Sequence, residues 1–445
     1  MSRVYIKDLK DHIGEAVTLA GWIDVRRDHG KLIFFDIRDK TGIVQTVVSG
    51  KNAGVFEIAK NVRSEWVVEV VGEVKKRPEN MVNADSPTGT IEVAVISLTV
   101  FSEAAEMPFD KDEKLNLDTY LDHLPLTLRT LSARAIFTVQ AEIIKTYRAF
   151  LSENGFIEFQ SPKLVGGDAE GGAAVFRVEY LNDKDAYLAT SPQLYKQIMT
   201  GVFERVYATG NVFRGEKHST TRHLNEYTSL DAEMAFIKDH HDVMEMLSGT
   251  VRAISRHLET TCIGEFKLLS ATVPKIPDAI PVMKLREAQM LIHKETGEDC
   301  RQEKDLAPEH ERWLSEYTLK EFNSDFIFIT HFPIQKTAFY AYEDPEDIGY
   351  AKYFDLLFRG VELASGGQRV HNHETLIQRI QMKGLNPEHF SFYLEAFKYG
   401  MPPHGGWGMG LERLTQKFLN LANIKEATLF PREINRIDTL LSTDN

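Results

Sequence analysis

Cysteine is scarce in this chain, and long apolar runs are missing from it. The two cysteines, Cys262 and Cys300, stand far apart and match no zinc-ligand spacing, so the sequence predicts neither a disulfide framework nor a cysteine metal site. No apolar run approaches the ~20 residues that a membrane-spanning helix needs, and the opening MSRVYIKDLKDH is too polar for a signal peptide. We therefore expect a cytoplasmic protein with no membrane partner.

Positive charge is also in short supply. The 445 residues carry 52 Lys and Arg against 65 Asp and Glu, a formal net charge of −13. This balance argues against gross, nonspecific binding of nucleic acid, but it allows a local basic patch on an acidic body. Hydrophobic residues make up 43% of the chain, and a chain of this length has room for roughly two to three domains with a large core.

Short β-rich runs fill the first hundred residues. They read VTLAGWIDV, LIFFDIRD, IVQTVV, WVVEVVGEV and IEVAVISLTV, with turn residues between them and one helical segment near Phe56 to Asn61. Five strands and a short helix predict a small β-barrel of the OB-fold kind over residues 1–104. A charged stretch with Pro108 and Pro125 follows, and we expect it to be a linker over residues 105–130.

The remainder, residues 131–445, alternates helical and β-rich runs. Apolar residues from Ile136 to Leu151 recur at three- and four-residue spacing, which predicts a helix with one buried face that ends at Asn154 and Gly155. The whole is predicted to be an α+β protein: the barrel, then a large domain built on an antiparallel sheet with flanking helices.

Residues 213–236 predict two antiparallel strands joined by a polar loop. Arg214 and Glu216 alternate along one strand, and the loop after them is basic. A guanidinium binds a phosphate in two-pronged fashion, so Arg214 suits a triphosphate, with Glu216 and His223 at other polar edges of a nucleotide. Tyr227 is placed to stack on its base. The alternative is an exposed, charge-rich hairpin with no ligand.

The segment YFDLLFRGVELASGGQR predicts a second hairpin with its turn at Arg359 and Gly360. The turn brings Asp355 and Glu362 to one face, and two carboxylates beside a phosphate suit Mg²⁺. The alternative is a pair of solvated acids. In HGGWGMGLERL, a glycine-rich turn is expected to let the backbone approach a ligand, ahead of a helix whose first turn holds Arg413.

Two cations indicate the charge of a second ligand. Ser191 and Pro192 predict the start of a helix that places Lys196 near its beginning, where an unpaired lysine gains nothing from the helix dipole and should face an anion. Arg369 follows a glycine pair and supplies a second positive charge. Together they suit a substrate with two carboxylates, although Lys196 taken alone could equally be a surface lysine.

These segments resemble those of a known family. FRGEKHSTTRHLNE resembles motif 2 of the class II aminoacyl-tRNA synthetases, GMGLERL resembles motif 3, and the helix ending in GFIEFQSPKL resembles motif 1. SPQLYKQ, SGGQR and YLEAFKYGMPPHGGWG are similar to segments of aspartyl-tRNA synthetases. The short chain with an N-terminal barrel is similar to the archaeal and eukaryotic type of that family.

The resemblance implies a role for each matching residue. It implies catalytic roles for Arg214, Glu216 and Arg413. It assigns ATP binding to Arg214, Gly215, Glu216, Arg222, His223, Leu224, Tyr227, Glu362, Gly410, Leu411, Glu412 and Arg413. It assigns aspartate binding to Glu170, Gln193, Leu194, Tyr195, Lys196, Arg214, Ser365 and Arg369. It places Mg²⁺ at Asp355, Glu362 and Ser365, and it places an anticodon base against Phe34, with Gln45 reading a base edge; Phe34 taken alone could be a core residue.

The implied partners are ATP, L-aspartate, tRNA(Asp) and a second copy of the chain in a homodimer. Charging of tRNA(Asn) is a further expectation, because Asp24 occupies the place where strict archaeal members carry Trp. Three alternatives stay open. They are an asparaginyl-tRNA synthetase, a catalytically inert paralogue that acts as an RNA-binding or regulatory protein, and an ATP-dependent amide-forming relative.

Overall fold

Residues 2–84, 86–109, 115–167 and 174–437 are described by the structure, a computed structural model of the chain. The chain divides into two units, Met1–Lys114 and Leu115–Asn445. None of the helices in the described ranges combines the length and the apolar character needed to cross a membrane.

The first unit is a closed β-barrel. Its strands are β1 Ala16–Asp28, β2 Leu32–Arg38, β3 Ile43–Ser49, β4 Val67–Lys76 and β5 Ile91–Ser102, and they close in the order β1-β2-β3-β5-β4. Helix α1 spans Ala53–Asn61, and short 3₁₀ helices span Ile6–His12 and Glu79–Met81. Side chains alternate along β2, with Ile33, Phe35 and Ile37 in the barrel core. The predicted five-stranded OB-fold barrel is confirmed.

The second unit combines helices with a large sheet. Its helices are α2 Leu117–Asp122, α3 Leu124–Thr127, α4 Leu131–Glu153, α5 Gln193–Phe203, α6 His240–Thr261, α7 Ile263–Leu268, α8 Leu285–Thr296, α9 Pro308–Phe322, α10 His373–Met382, α11 Ser391–Lys398 and α12 Leu411–Phe418. Its strands are β6 Ile157–Glu158, β7 Leu164–Val165, β8 Arg177–Tyr180, β9 Lys184–Leu188, β10 Arg205–Phe213, β11 Glu226–Ala235, β12 Val282–Lys284, β13 Phe326–Thr330, β14 Tyr353–Phe358, β15 Val361–Gln368 and β16 His404–Gly410. Short 3₁₀ helices span Leu181–Asp183, Pro387–Phe390 and Ile424–Ala427.

Eight strands form the main sheet in the order β12-β13-β14-β15-β16-β11-β10-β6. Its inner pairs are antiparallel, as predicted, while β12 with β13 and β10 with β6 are parallel. A separate small sheet has the order β7-β9-β8. The α+β class is confirmed.

Helices α4 and α6 cover one face of the main sheet. The predicted apolar face of α4 is buried there, including Val139, Ile143 and Tyr147, and the helix ends at Asn154 with Gly155 at a φ of 80°. A positive φ costs glycine little because it lacks a Cβ. The opposite face of the sheet is therefore the one left for polar side chains.

The stretch expected to be a linker is partly helical. Helices α2 and α3 lie within residues 105–130 and belong to the second unit. Pro125 stands in the first turn of α3, where the missing N–H costs no helical hydrogen bond. Proline therefore opens a helix here and does not mark an irregular segment.

Candidate active site

Alternation along three neighbouring strands builds a polar cleft of about 380 Å³. On β11, Tyr227, Ser229 and Asp231 line the cleft, while Leu230 and Ala232 between them lie in the core beneath α4 and α6. Strand β16 contributes Gly408 and Gly410, and β15 contributes Glu362 and Ser365. The cleft thus lies on the face of the sheet away from the main core.

Glycines on β16 leave the base of this cleft free of side chains. Gly406 and Gly408 stand opposite Glu233 and Asp231 of β11. A Cβ at Gly406 would collide with the Ala232 carbonyl oxygen and the Glu233 carboxylate. The prediction of a glycine-rich turn is wrong: HGGWGMG is a central strand, and its glycines make room for charged neighbours across the sheet.

The motif 2 segment is a hairpin with a long loop. Strand β10 ends at Phe213 and β11 begins at Glu226, so Arg214 and Glu216 lie in the loop and not on the predicted strand. The buried Asn225 side chain donates to the carbonyl oxygens of Arg214 and Glu216 at 2.7 and 3.1 Å. The Arg214 guanidinium lies 5.8 Å from the centre of the Tyr227 ring. Asn225 therefore fixes both residues at the mouth of the hairpin.

Three more basic residues reach the same cleft. Arg413, in the first turn of α12, donates to the Glu362 carbonyl oxygen, and Arg222 pairs with Glu311 at 2.9 Å. His223 lies 2.8 Å from the Thr220 hydroxyl. Burial lowers the pKa of His223; Glu216 opposes this shift, and Arg413 adds to it. The imidazole is therefore neutral at neutral pH.

The predicted carboxylate pair comes together through a bulge in β15. Asp355 stands opposite Ser365, and the register shifts between Leu356 and Leu357, so that Glu362 and Ser365 both line the cleft. Burial and the nearby Glu362 raise the pKa of Asp355 well above its usual range. Its Oδ1 atom has no hydrogen-bond partner among the described residues. Such an oxygen beside a second carboxylate fits a hard cation such as Mg²⁺.

Lys196 and Arg369 are both buried in an ionic cluster. Lys196 Nζ lies 2.8 Å from Asp231 Oδ2 and 3.4 Å from Glu233 Oε2, and it donates to the Trp407 carbonyl oxygen at 2.8 Å. Arg369 donates from Nε to Glu233 at 2.9 Å. Burial alone would raise the pKa of Glu233, but Arg369 and Lys196 outweigh it, and the pKa is lowered. The expectation of an unpaired Lys196 is wrong, because two acids on β11 pair with it.

The other predicted residues fall into four groups. Gln193 and Leu224 line the cleft, as do Gly410 and Glu412. Leu194 and Tyr195 instead line a neighbouring cavity of about 690 Å³. Gly215 donates its N–H to the Ala174 carbonyl oxygen at 2.7 Å, and the Leu411 side chain lies in the main core. Glu170 lies outside the described residues.

Sequence reasoning missed several residues of the cleft. The alternation of Ser229 and Asp231 with Leu230 and Ala232 indicates a strand with one polar face, but the basic loop before the strand is the stronger local signal. Lys336, which pairs with Asp305, also lines the cleft. It comes from a loop after β13, and no local pattern marks it.

On the barrel, Phe34 and Gln45 lie on the outer surface of neighbouring strands. Phe34 is half-buried, outside the barrel core, with its ring edge-on to His29 at 5.4 Å, so the alternative of a core residue is wrong. Gln45 accepts from Arg27 at 3.2 Å and donates to Glu92 at 3.0 Å. Asp24 lies within β1, and it pairs with Arg38 at 2.8 Å.

The family follows from comparison of the chain with known proteins. Residues 116–434 match the tRNA synthetases class II (D, K and N), and residues 17–101 match the OB-fold nucleic acid binding domain. The chain therefore belongs to the class II tRNA synthetases of this group, and it is an aminoacyl-tRNA ligase. Enzymes of this class use ATP as a substrate and Mg²⁺.

Relatives match the chain over nearly its whole length. It is 44% identical to an aspartate–tRNA(Asp/Asn) ligase of Thermus thermophilus, over 98% of this chain and 99% of the relative. It is 40% identical to an aspartate–tRNA(Asp/Asn) ligase of Archaeoglobus fulgidus, over 98% and 99%. An aspartate–tRNA(Asp) ligase of Thermococcus kodakarensis is 39% identical, over 95% and 96%.

Solved structures of both specificities share this fold. An asparaginyl-tRNA synthetase from Pyrococcus horikoshii, complexed with asparaginyl-adenylate, is 33% identical with a TM-score of 0.90, covering 98% of this chain and 99% of that one. An aspartyl-tRNA synthetase from Entamoeba histolytica is 27% identical with a TM-score of 0.86, covering 98% and 93%. The fold alone therefore does not decide the amino acid.

Proposed function

We propose that the chain ligates L-aspartate to tRNA(Asp), and also to tRNA(Asn), through an aspartyl-adenylate. The position and hydrogen bonds of Arg369 are the observation that supports aspartate as the amino-acid substrate. Arg369 donates hydrogen bonds from Nε and Nη2 to the Glu233 carboxylate, and from Nη2 to the Gly406 carbonyl oxygen. No described residue accepts from Nη1. Arg369 lines the cleft, so its free N–H groups suit the side-chain carboxylate of aspartate.

Lys196 supports the same choice from beneath the cleft. It is 1% exposed and brings a second positive charge close to Glu233. A ligand amide offers these cations one neutral oxygen, whereas a carboxylate offers two oxygens and the opposite charge, so the carboxylate forms the stronger hydrogen bonds. Asparagine is therefore the poorer ligand, which disfavours an asparaginyl-tRNA synthetase.

The reaction has two steps. In the first, the α-carboxylate of aspartate attacks the α-phosphorus of ATP, the bond to pyrophosphate breaks, and the aspartyl-adenylate forms. In the second, a ribose hydroxyl of the terminal adenosine of the tRNA attacks the aspartyl carbonyl carbon and AMP leaves. Arg214 and Arg413 stabilise the negative charge that develops at phosphorus, and no side-chain nucleophile is needed. Their presence in one cleft disfavours an inert paralogue.

The remaining ATP contacts follow from the same cleft. Glu216 and His223 meet polar edges of the nucleotide, and Tyr227 stacks on its base. Asp355, Glu362 and Ser365 would hold Mg²⁺, which neutralises phosphate charge when it is bound.

The barrel supplies the recognition of tRNA. A half-buried aromatic ring on the outer surface of the barrel, beside hydrogen-bonding side chains, suits an unstacked anticodon base, so Phe34 stacks and Gln45 reads a base edge. Asp24 has a short side chain that pairs with Arg38, so it offers no large side chain to separate the two anticodons. This supports acceptance of both tRNAs, in a cytoplasmic enzyme; an amide-forming relative would have no use for the barrel.

A homodimer is part of the proposal. In this class motif 1 builds a two-fold interface, and here its strand β6 is an edge of the main sheet with Ile157 45% exposed. Burial of this edge against a second copy would remove the apolar side chain from water.

Aminoacylation of purified tRNA(Asp) and tRNA(Asn) with labelled aspartate, side by side at equal concentration, tests the proposal. We expect both to be charged, with specificity constants within about the tenfold that one modest base contact supplies. A preference of a hundredfold or more for tRNA(Asp) would contradict the charging of tRNA(Asn), but it would agree with aspartate as the amino-acid substrate. Failure to charge either tRNA would contradict the proposal as a whole.

A further inference from the structure

A cluster of metal-ligating side chains lies at the start of α6, outside the cleft. Strand β11 ends at Ala235, and after three residues Asp239 caps the helix. Asp239, His240 and His241 each offer one donor atom, and the three atoms lie within 4.8 Å of one another. None of the three residues lines the cleft.

Two members of the cluster already hold each other in place. The Asp239 carboxylate accepts from the His241 backbone N–H at 2.8 Å and lies 3.0 Å from Nδ1 of the same residue. A carboxylate beside an imidazole fixes the ring and raises its basicity as a ligand. Asp239 and His241 are also partly open to solvent, which gives an ion a path of entry.

The environment of His240 is a second observation, separate from the distances within the cluster, that indicates a bound ligand. The His240 side chain is almost wholly buried, at 2% exposure, yet neither ring nitrogen has a hydrogen-bond partner among the described residues. A buried polar atom without a partner destabilises the folded state, so such atoms in folded proteins call for an explanation.

The surroundings of the cluster do not compete for the ion. The ring of His331 lies 5.4 Å from that of His240, but its nitrogens face Thr330 at 2.9 Å and Asp344 at 3.1 Å. Lys352, whose charge also acts on His240, lies 3.8 Å from the same Asp344. Asp344 therefore offsets the charge that would repel a divalent ion.

We propose that Asp239, His240 and His241 bind a divalent transition-metal ion, with zinc as the natural occupant. Two imidazoles and one carboxylate are a common zinc ligand set, and water fills the fourth position. Bonds of about 2.0 to 2.2 Å require donor atoms roughly 3.4 Å apart, so side-chain rotations draw the cluster together on binding. The bound ion would tie the first turn of α6 to the segment leaving β11, and it would stabilise the fold without taking part in catalysis.

Cobalt titration of the untagged full-length chain, first stripped with a chelator, tests this site. Excess Mg²⁺ is present throughout to occupy oxygen-ligand sites such as Asp355 and Glu362. We expect one equivalent of Co²⁺ to give the visible absorption of a four-coordinate ion, zinc to displace it, and zinc to raise the thermal midpoint.

Two variants and one control locate the site. Asp239→Asn keeps a helix-capping residue, and His241→Ala alters an exposed ring. Each substitution should weaken metal binding by at least roughly 10- to 100-fold, which is the loss of affinity seen when a hydrogen-bond partner of a metal ligand is removed. Each should also abolish the zinc-dependent shift of the thermal midpoint. His12→Ala removes another imidazole paired with a carboxylate, Glu15 at 2.7 Å, and should change nothing. Absence of cobalt binding, or binding that both site variants retain, would overturn the proposal.

Discussion

Four charged residues at the base of the cleft form a compensated set. Lys196, Asp231, Glu233 and Arg369 are each at most 2% exposed. A buried charge is tolerated when it is paired and hydrogen-bonded, and here each cation meets at least one of the two acids. The cations that suit aspartate are thus positioned by acids of the protein before any ligand arrives.

Replacing Lys196 with Leu should therefore have two effects. Aspartate-dependent ATP–pyrophosphate exchange should be lost, and the free energy of unfolding should fall by about 3 to 5 kcal/mol, because Asp231 is left buried without its cationic partner. An unpaired lysine would have left the fold intact. Exchange assays and urea denaturation measure the two effects, with the exposed Lys267→Leu as control. Wild-type stability in the Lys196 variant would mean that the buried pair is not formed.

Glu412 makes stability depend on pH. Both of its carboxylate oxygens lie 3.0 Å from the Thr228 backbone nitrogen. Burial raises the pKa of Glu412 from 4.5 to about 7, although the hydrogen bond from Thr228 opposes the shift. Between these two values the folded chain keeps a proton that the unfolded chain releases, so its contribution to stability falls as the pH rises from 4.5 to 7.

Glu412→Gln should remove this pH dependence. The amide cannot ionise and can still accept from Thr228, so the variant should gain up to about 3 kcal/mol over the wild type at pH 8 relative to pH 5. Urea denaturation across this pH range measures the difference. Glu395→Gln, at an exposed position on α11, should leave the curve unchanged. A parallel shift of the two curves at every pH would refute the raised pKa.

At the scale of elements, β16 decides whether the cleft can exist. Its alternate glycines oppose Glu233 and Asp231 on one side and Gly367 and Ser365 on the other. Any side chain on this face at Gly406 would occupy the space of the Glu233 carboxylate. The strand thus supplies backbone pairing without filling the site.

Gly406→Ala should lower the thermal midpoint and disturb aspartate binding, because its Cβ would displace the acid that holds Arg369. Gly410→Ala is the matched control: the nearest atom to its Cβ is Arg413 Cβ at 3.7 Å, an ordinary contact. Its midpoint should equal that of the wild type. Differential scanning fluorimetry compares the two variants, and equal midpoints for both would show that the collision at Gly406 is relieved without cost.

The elements also show what local sequence predicts. Apolar residues at every second position predict the barrel strands, and apolar residues at three- and four-residue spacing predict α4. Turn residues between apolar runs predict both hairpins. The segment HGGWGMG resembles a turn in its local sequence because glycine is common in turns. Its strand conformation depends on pairing with β11 and β15, which the local sequence does not show. The partners of Lys196 depend on which strand neighbours which, and that is a long-range property. Lys336 depends on a loop fold that no local pattern encodes.

For the whole molecule, the two units divide the work. The barrel carries an outer surface with Phe34 and Gln45, and the second unit holds the entire cleft. Adenylate formation should therefore be independent of the barrel surface, whereas charging of tRNA should need it.

Phe34→Ala should separate the two activities. Loss of one base stacking contact costs about 1 to 3 kcal/mol, so the KM for tRNA should rise roughly 5- to 150-fold while ATP–pyrophosphate exchange is unchanged. Phe35→Ala is the control for folding, because Phe35 is buried in the barrel core and its loss should lower the barrel's stability. If Phe34→Ala impaired both half-reactions equally, its ring would not be an anticodon contact.

The most direct test of the central claim is the choice of amino acid in ATP–pyrophosphate exchange by the wild-type chain. A site whose buried N–H donors are directed at a carboxylate strongly penalises a ligand that cannot accept from all of them. Aspartate should support exchange with a specificity constant about 10⁴-fold above that of asparagine. Comparable rates with the two amino acids, or faster exchange with asparagine, would contradict the assignment of Arg369 and Lys196 to the aspartate carboxylate and with it the proposed function.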